Sequence, residues 1–280
     1  GAGGGTINTN SFNTTVSQAI SGSGALTKSG TGTLTLSAAN TYTGATTIST
    51  GTLALTGAGS LSASSGVADN ATFDISGVTA GTSSIKSLSG NGGVTLGAKT
   101  LDITAASGNF SGVIGGTGGL TLDSGTETLS GVNTYTGATT INGGTLALSG
   151  SGSIAASSGV ADAGTFDISA ITGGSASIKT LSGAGNVTLG AKTLTLTAAA
   201  DTFSGSISGT GALAITSGTE TLTGTNSYSG GTTVSGGATL VVDADGELGA
   251  TTGGLTLNNG TLKFGASFDL ASTRAFSFGA

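Results

Sequence analysis

Residues 40–109 align with residues 133–202 without a gap, and 49 of the 70 paired positions are identical. The segment Asn40-Thr41-Tyr42-Thr43-Gly44 returns as Asn133-Thr134-Tyr135-Thr136-Gly137 and as Asn226-Ser227-Tyr228-Ser229-Gly230, each 93 residues on. The chain therefore divides into about three copies, 16–109, 110–202 and a more divergent 203–280. Self-similarity at a fixed period marks an architecture in which each unit buries its apolar face against the next. We expect one solenoid over residues 1–280 with no separate domain.

The local pattern names the kind of solenoid. Apolar residues alternate with small polar ones in Leu34-Thr35-Leu36, Leu53-Ala54-Leu55, Leu101-Asp102-Ile103, Leu120-Thr121-Leu122, Leu194-Thr195-Leu196 and Leu255-Thr256-Leu257. Period-two patterning is that of a strand with one buried face. Helical stripes are missing, and 55 glycines would weaken any helix. Flexible Gly/Ser linkers lack such phased aliphatics, so the chain is all-β and folded. Hairpin turns such as Asn142-Gly143, Asp245-Gly246 and Asn259-Gly260 are scarce, which disfavours a sandwich. A propeller blade of about 40–50 residues halves the copy but not its inner step. That step, 25 residues from Phe110 to Tyr135 and again from Phe203 to Tyr228, suggests one coil of a parallel β-solenoid. On this reading each copy holds roughly four coils, about twelve in all by the spacing of stacked strands. Phe110 would then stack beneath Tyr135, and Phe203 beneath Tyr228. Copies would superpose by a translation of four coils. Asn40 and Asn133 sit at turns, where their amides can bond to the next coil.

Composition removes whole classes of function. The chain has no His and no Cys, hence no Ser-His-Asp or Cys-His triad, no zinc site of the usual ligands and no disulfide framework. Seven Lys and Arg in 280 residues cannot track a phosphate backbone, so nucleic acid is not an expected partner. No run of about 18 apolar residues is present to form a spanning helix. With no leader pattern and no evident cap at either end, the sequence reads as an interior piece of something longer.

The stretch Gly24-Ala25-Leu26-Thr27-Lys28-Ser29-Gly30-Thr31-Gly32-Thr33-Leu34-Thr35-Leu36, followed by residues 40–48 and by Gly51-Thr52-Leu53-Ala54-Leu55, closely resembles the passenger-associated transport repeat. This is the autotransporter-associated β-strand repeat of Gram-negative bacteria. Segments 118–148 and 211–242 resemble it too, with Leu122-Asp123 and Ile215-Thr216 in place of Thr27-Lys28. The resemblance implies a right-handed parallel β-helix in the passenger of a type V secreted surface protein. It also implies a partner, the protein's own C-terminal outer-membrane β-barrel, which these 280 residues do not include. The absence of Cys agrees, because an exported chain crosses an oxidising periplasm before it folds.

Each candidate site has a structural explanation. Asp69 and Asp74, repeated as Asp162 and Asp167, are the best carboxylate pair, but an odd separation sends them to opposite faces of one strand. They read as turn caps or solvated surface. Glu127 and Glu220 stand where the first copy has Leu34, and a position that tolerates both is expected to face outward. Asp243-Ala244-Asp245-Gly246-Glu247 has the flavour of a calcium loop without the EF-hand spacing. The Gly-x-Gly-x-Leu segments lack the ending of a phosphate loop. Phe264, Phe268, Phe276 and Phe278 read as core and stacking residues of the last coils. No residue is assigned a catalytic, cofactor-binding or metal-binding role, and no enzyme activity is expected.

Two functional classes remain. One is a stiff stalk in a surface adhesin or extracellular fibre, whose repeats aid export and vectorial folding. The other is a binding module whose side face holds a glycan or a host protein. A variant of the first is a filament of copies stacked end to end. A recognition site should break the symmetry of the repeat, and the gapless first two copies show no such break, which favours the stalk.

Overall fold

The computed structural model describes residues 3–279, which form two compact units, one running to Ala138 and the other starting at Thr139. Both are right-handed parallel β-solenoids, as expected.

In the first unit three parallel sheets wrap the core. One stacks Gly5–Asn8, Leu26–Ser29, Thr46–Ile48, Val67–Asp69, Leu88–Gly90, Asn109–Phe110 and Thr126–Leu129, in chain order. A second stacks Thr14–Val16, Thr33–Leu36, Thr52–Gly57, Thr72–Val78, Gly93–Thr95 and Val113–Gly115. The third has Thr82–Ile85, Thr100–Ile103 and Leu120–Leu122. The register shows why alternating triplets suffice. Leu34 pairs with Leu53, Leu53 with Phe73, Phe73 with Val94 and Val94 with Ile114, so one apolar ladder climbs the interior through five turns. All five side chains are buried. The intervening Thr35, Asp74 and Thr95 are half-buried or exposed, as the pleat requires, whereas Ala54 is small enough to stay buried.

The second unit repeats the plan. Seven strands stack from Thr139–Ile141 to Thr261–Phe264, six from Ser175–Ile178 to Phe276–Phe278, and four from Thr145–Gly150 to Ser206–Ser208. Leu194, Leu213, Thr232, Leu255 and Phe276 form one ladder there.

Paired residues lie 19 to 21 positions apart in the first ladder, so a turn takes about 20 residues, not 25. Each unit holds seven turns among the described residues, about 14 together against the expected twelve. The aromatic spacing misleads because Tyr135 is not on the strand above Phe110. Phe110 pairs with Leu129, and Phe203 with Leu222.

A 93-residue copy on this pitch makes about four and two-thirds turns. Successive copies therefore do not superpose by a whole number of coils, and each motif moves to a neighbouring face. In the first unit Leu26–Ser29 lies in the seven-stranded sheet, whereas its counterpart Leu120–Leu122 lies in the three-stranded one. Thr33–Leu36 lies in the six-stranded sheet and its counterpart Thr126–Leu129 in the seven-stranded one. The second unit shows the same step: Thr139–Ile141 and its counterpart Thr232–Ser235 occupy different sheets, as do Thr145–Gly150 and Thr239–Val242.

Candidate functional site

The distinctive part of the repeat, Asn-(Thr/Ser)-Tyr-(Thr/Ser)-Gly, lies between strands, where backbone groups have no sheet partner and must be satisfied otherwise. Asn40 does this for three turns at once. Its Oδ1 accepts from the Ile20 N–H at 3.0 Å, one turn below, and its Nδ2 donates to Ala38 O in its own turn at 3.0 Å and to Ser60 O, one turn above, at 3.1 Å. Asn133 accepts from the Ile114 N–H at 2.9 Å and donates to Gly131 O at 3.1 Å. Asn226 accepts from the Ile207 N–H at 2.7 Å and donates upward to Glu247 O at 2.6 Å. The expected bond from these amides to the adjacent coil is present.

Tyr42, Tyr135 and Tyr228 are fully buried. The Tyr42 Oη meets Thr46 Oγ1 at 2.6 Å, Thr46 meets Ser64 Oγ at 3.0 Å, and Ser64 reaches the Gly44 and Gly66 carbonyls. Tyr228 repeats the first contact with Thr232 at 2.6 Å. Burial pushes both phenols up to about 12, so they remain neutral donors. The motif's glycine permits close approach of the chain below: a Cβ on Gly44 would lie 2.4 Å from Gly24 C, and one on Gly230 would lie 2.6 Å from Gly211 C. Sequence reasoning missed Thr46 and Ser64 in this network, because hydroxyl residues are too common here to stand out.

Asp69 and Asp74 do not converge. They end and occupy separate strands, Val67–Asp69 and Thr72–Val78, in different sheets. Asp69 Oδ1 caps the Ala71 N–H at 3.1 Å and Asp74 Oδ1 the Ser76 N–H at 2.8 Å. Asp162 and Asp167 cap Gly164 and Ser169 in the same way. Asp69 and Asp162 cap the turns that follow their strands, as expected, but are buried rather than solvated, whereas Asp74 and Asp167 bond within their strands, where the register shifts. Burial pushes their carboxyls up to about 6.

Two findings depart from expectation. Glu127 and Glu220 do not face outward; both are completely buried. The substitution of Leu34 by Glu reflects a carboxyl accommodated in the interior, which the assumption of an ionised side chain obscured. Phe264, Phe276 and Phe278 stand in the register of interior residues, opposite Val242, Leu255 and Leu257. They are nevertheless exposed, because among the described residues no strand is stacked upon theirs. Phe264 contacts Phe268 at 5.0 Å and Phe276 contacts Phe278 at 5.2 Å between ring centroids. Lys28 is buried as well. Its Nζ donates to the Ser29, Gly30 and Thr50 carbonyls at 2.7 to 3.0 Å.

The acidic stretch from Asp243 is knit into the protein. Asp245–Leu248 forms a 3-10 turn, and Glu247 Oε2 accepts from the Asp243 N–H at 2.6 Å. The buried Arg274 forms a bidentate pair with Asp245, at 2.8 and 3.0 Å, and donates to Leu248 O and Gly249 O. These bonds to Arg274 hold the Asp245 carboxyl below its ordinary value.

Comparison with known proteins agrees with this geometry. The profile described as passenger-associated-transport-repeat matches residues 26–55, 115–148 and 216–242. Neither a curated protein nor a solved structure matches the chain. Each matched segment contains one Asn-x-Tyr-x-Gly staple and the strands on both sides of it. The chain carries three passenger-associated transport repeats, the repeat of autotransporter passengers.

Proposed function

We propose that this chain is a stalk segment of a secreted or surface-displayed autotransporter-type protein, and that its repeats assist export by folding turn upon turn. The observation that carries this reading is the direction in which the repeat's characteristic side chains point. Asn40, Tyr42 and Thr46 face inward and bond one turn to the next, so the conserved chemistry of the copies is internal cohesion. In a repeat rod, stability lies in interfaces between neighbours, and each new turn forms on the one already folded. A chain emerging from a pore would gain those bonds only outside it, which biases its movement outward. The partner in this reading is the protein's own outer-membrane β-barrel. It needs no catalytic residue, cofactor, metal or nucleic acid. Surface display of the parent protein tests it: N40A/N133A/N226A should slow display while leaving synthesis unchanged. Undiminished display would remove the role in export.

A further inference from the structure

Two carboxyl side chains lie inside the solenoid with nothing to balance a charge. Glu127 and Glu220 are 0% exposed; the Glu220 oxygens have no hydrogen-bond partner, and the Glu127 carboxyl has only the Leu88 backbone beside it, too poorly placed to form a well-aligned bond. They are counterparts 93 residues apart, in the strands Thr126–Leu129 and Thr219–Leu222, which share one inward pattern. The strands stacked beneath Glu127, Leu88–Gly90 and Asn109–Phe110, carry no titratable side chain. A Cβ on Gly108 would lie 3.0 Å from Glu127 Oε2, so the carboxyl rests over bare backbone. Glu220 pairs with Leu240 of Thr239–Val242, a strand also without ionisable groups. From below, the Thr221 N–H bonds to Asp201 O at 3.0 Å, which sets Asp201 beside Glu220. Asp201 thus adds a group of the same sign to the surroundings of Glu220.

An ionised carboxylate so placed would be desolvated without compensation. The neutral acid needs far less, and it brings a proton that the unfolded chain does not carry at neutral pH. We propose that each of these two turns folds with uptake of one proton, Glu127 and Glu220 entering the interior as neutral carboxylic acids. Burial pushes Glu127 up to about 8; burial first, and then Asp201, pushes Glu220 up to about 9. The sign follows from the ordinary glutamate value near 4.5 in the unfolded chain. Between that value and the folded one, the native state holds more protons, so stability falls as pH rises. The solenoid is hardened toward acid and loosens first at these turns in alkali. Protonation here is independent of where the protein resides, and concerns a property that the export reading does not require.

The test is proton uptake on refolding. The whole chain, diluted from urea at pH 7 in weak buffer with an indicator dye, should take up about two protons per molecule. E127Q/E220Q should take up close to none. The folding equilibrium constant of the wild type should fall about tenfold per pH unit for each carboxyl between pH 6 and its folded value, about 8 for Glu127 and about 9 for Glu220, and that slope should vanish in the variant. E127L/E220L provides a second variant, since Leu34 already occupies this position in the first copy. Equal uptake by wild type and both variants would overturn the proposal. So would stabilisation by added sodium or calcium that is lost in E220Q, because the group would then be an ionised cation ligand.

Discussion

Asn40 and Ser60, a full turn apart in the chain, are joined by a hydrogen bond of 3.1 Å from the Asn40 amide to the Ser60 carbonyl. The same amide accepts from Ile20, so a single side chain ties the turns below and above its own. In N40A the Ile20 N–H and Ala38 O lose this side chain as a partner, while Ser60 O keeps the Asn40 backbone N–H at 3.2 Å. We expect a loss of about 2–3 kcal/mol, since a buried polar group left unpaired costs about 1–3 kcal/mol. Amide exchange should locate the effect, with protection reduced at Ile20 and little changed ten turns away.

The tyrosine and the glycine of the motif should differ in weight. Y228F removes one hydroxyl and leaves Thr232 in contact with Leu248 O, for a loss of about 1 kcal/mol. G230A drives a methyl group against the Gly211 backbone, and overpacking of this kind costs about 3 kcal/mol or more where backbone must move. Denaturant titration of the two variants should rank them in this order.

Stability should decline in two stages as pH rises. Asp69 and Asp162 are raised from 3.8 to about 6, so each is fully stabilising only below about pH 4 and loses its contribution as pH climbs through 6. A shift of this size corresponds to about 2–3 kcal/mol per aspartate. D69N/D162N should reduce the decline between pH 4 and 6, over which Glu127 and Glu220 also lose part of theirs, and leave the decline above pH 6 intact. Urea midpoints measured from pH 3.5 to 9.5 check both.

Arg274 opposes this trend. Its bonds hold Asp245 below its usual value, so their contribution is present at neutral pH and is lost as pH falls through the folded value of Asp245. R274K keeps the charge but gives up the planar fork. We expect about 2 kcal/mol of local destabilisation, the range for a bond to a charged group. Limited proteolysis should show earlier cleavage near residues 245–253 in the variant.

Export gives the sharpest contrast between structure and chemistry. Leu53 and Leu55 are completely buried, and L53D/L55D places two charges in the interior of one turn. Display of the parent protein should stall. D69N or D162N, which keep their caps, should leave display and adhesion unaltered. The reverse pattern would replace the stalk with a specific binding or catalytic site.

Much of this fold was legible in the residues. Alternation such as Leu34-Thr35-Leu36, with few hairpin signals, leaves little beyond stacked parallel strands, and an Asn that recurs at the same corner points to bonding between turns. The pitch was not legible, because Phe110 and Tyr135 were compared as if they lay on stacked strands, whereas Phe110 faces Leu129. Nor was the burial of Glu127 and Glu220. A position that takes both Leu and Glu reads as outward-facing, whereas a carboxyl can shed its charge on burial. Thr46 and Ser64 were hidden by abundance: in a chain so rich in Thr and Ser, position and not residue type marks the two that carry the buried network.

The advance of the repeat by one face per copy spreads its ties around the first unit. There Asn40 stands between Thr33–Leu36 and Thr46–Ile48, whereas Asn133 follows Thr126–Leu129 at a different corner. A force that peels open one corner therefore meets only one of these two ties, and the other corner holds.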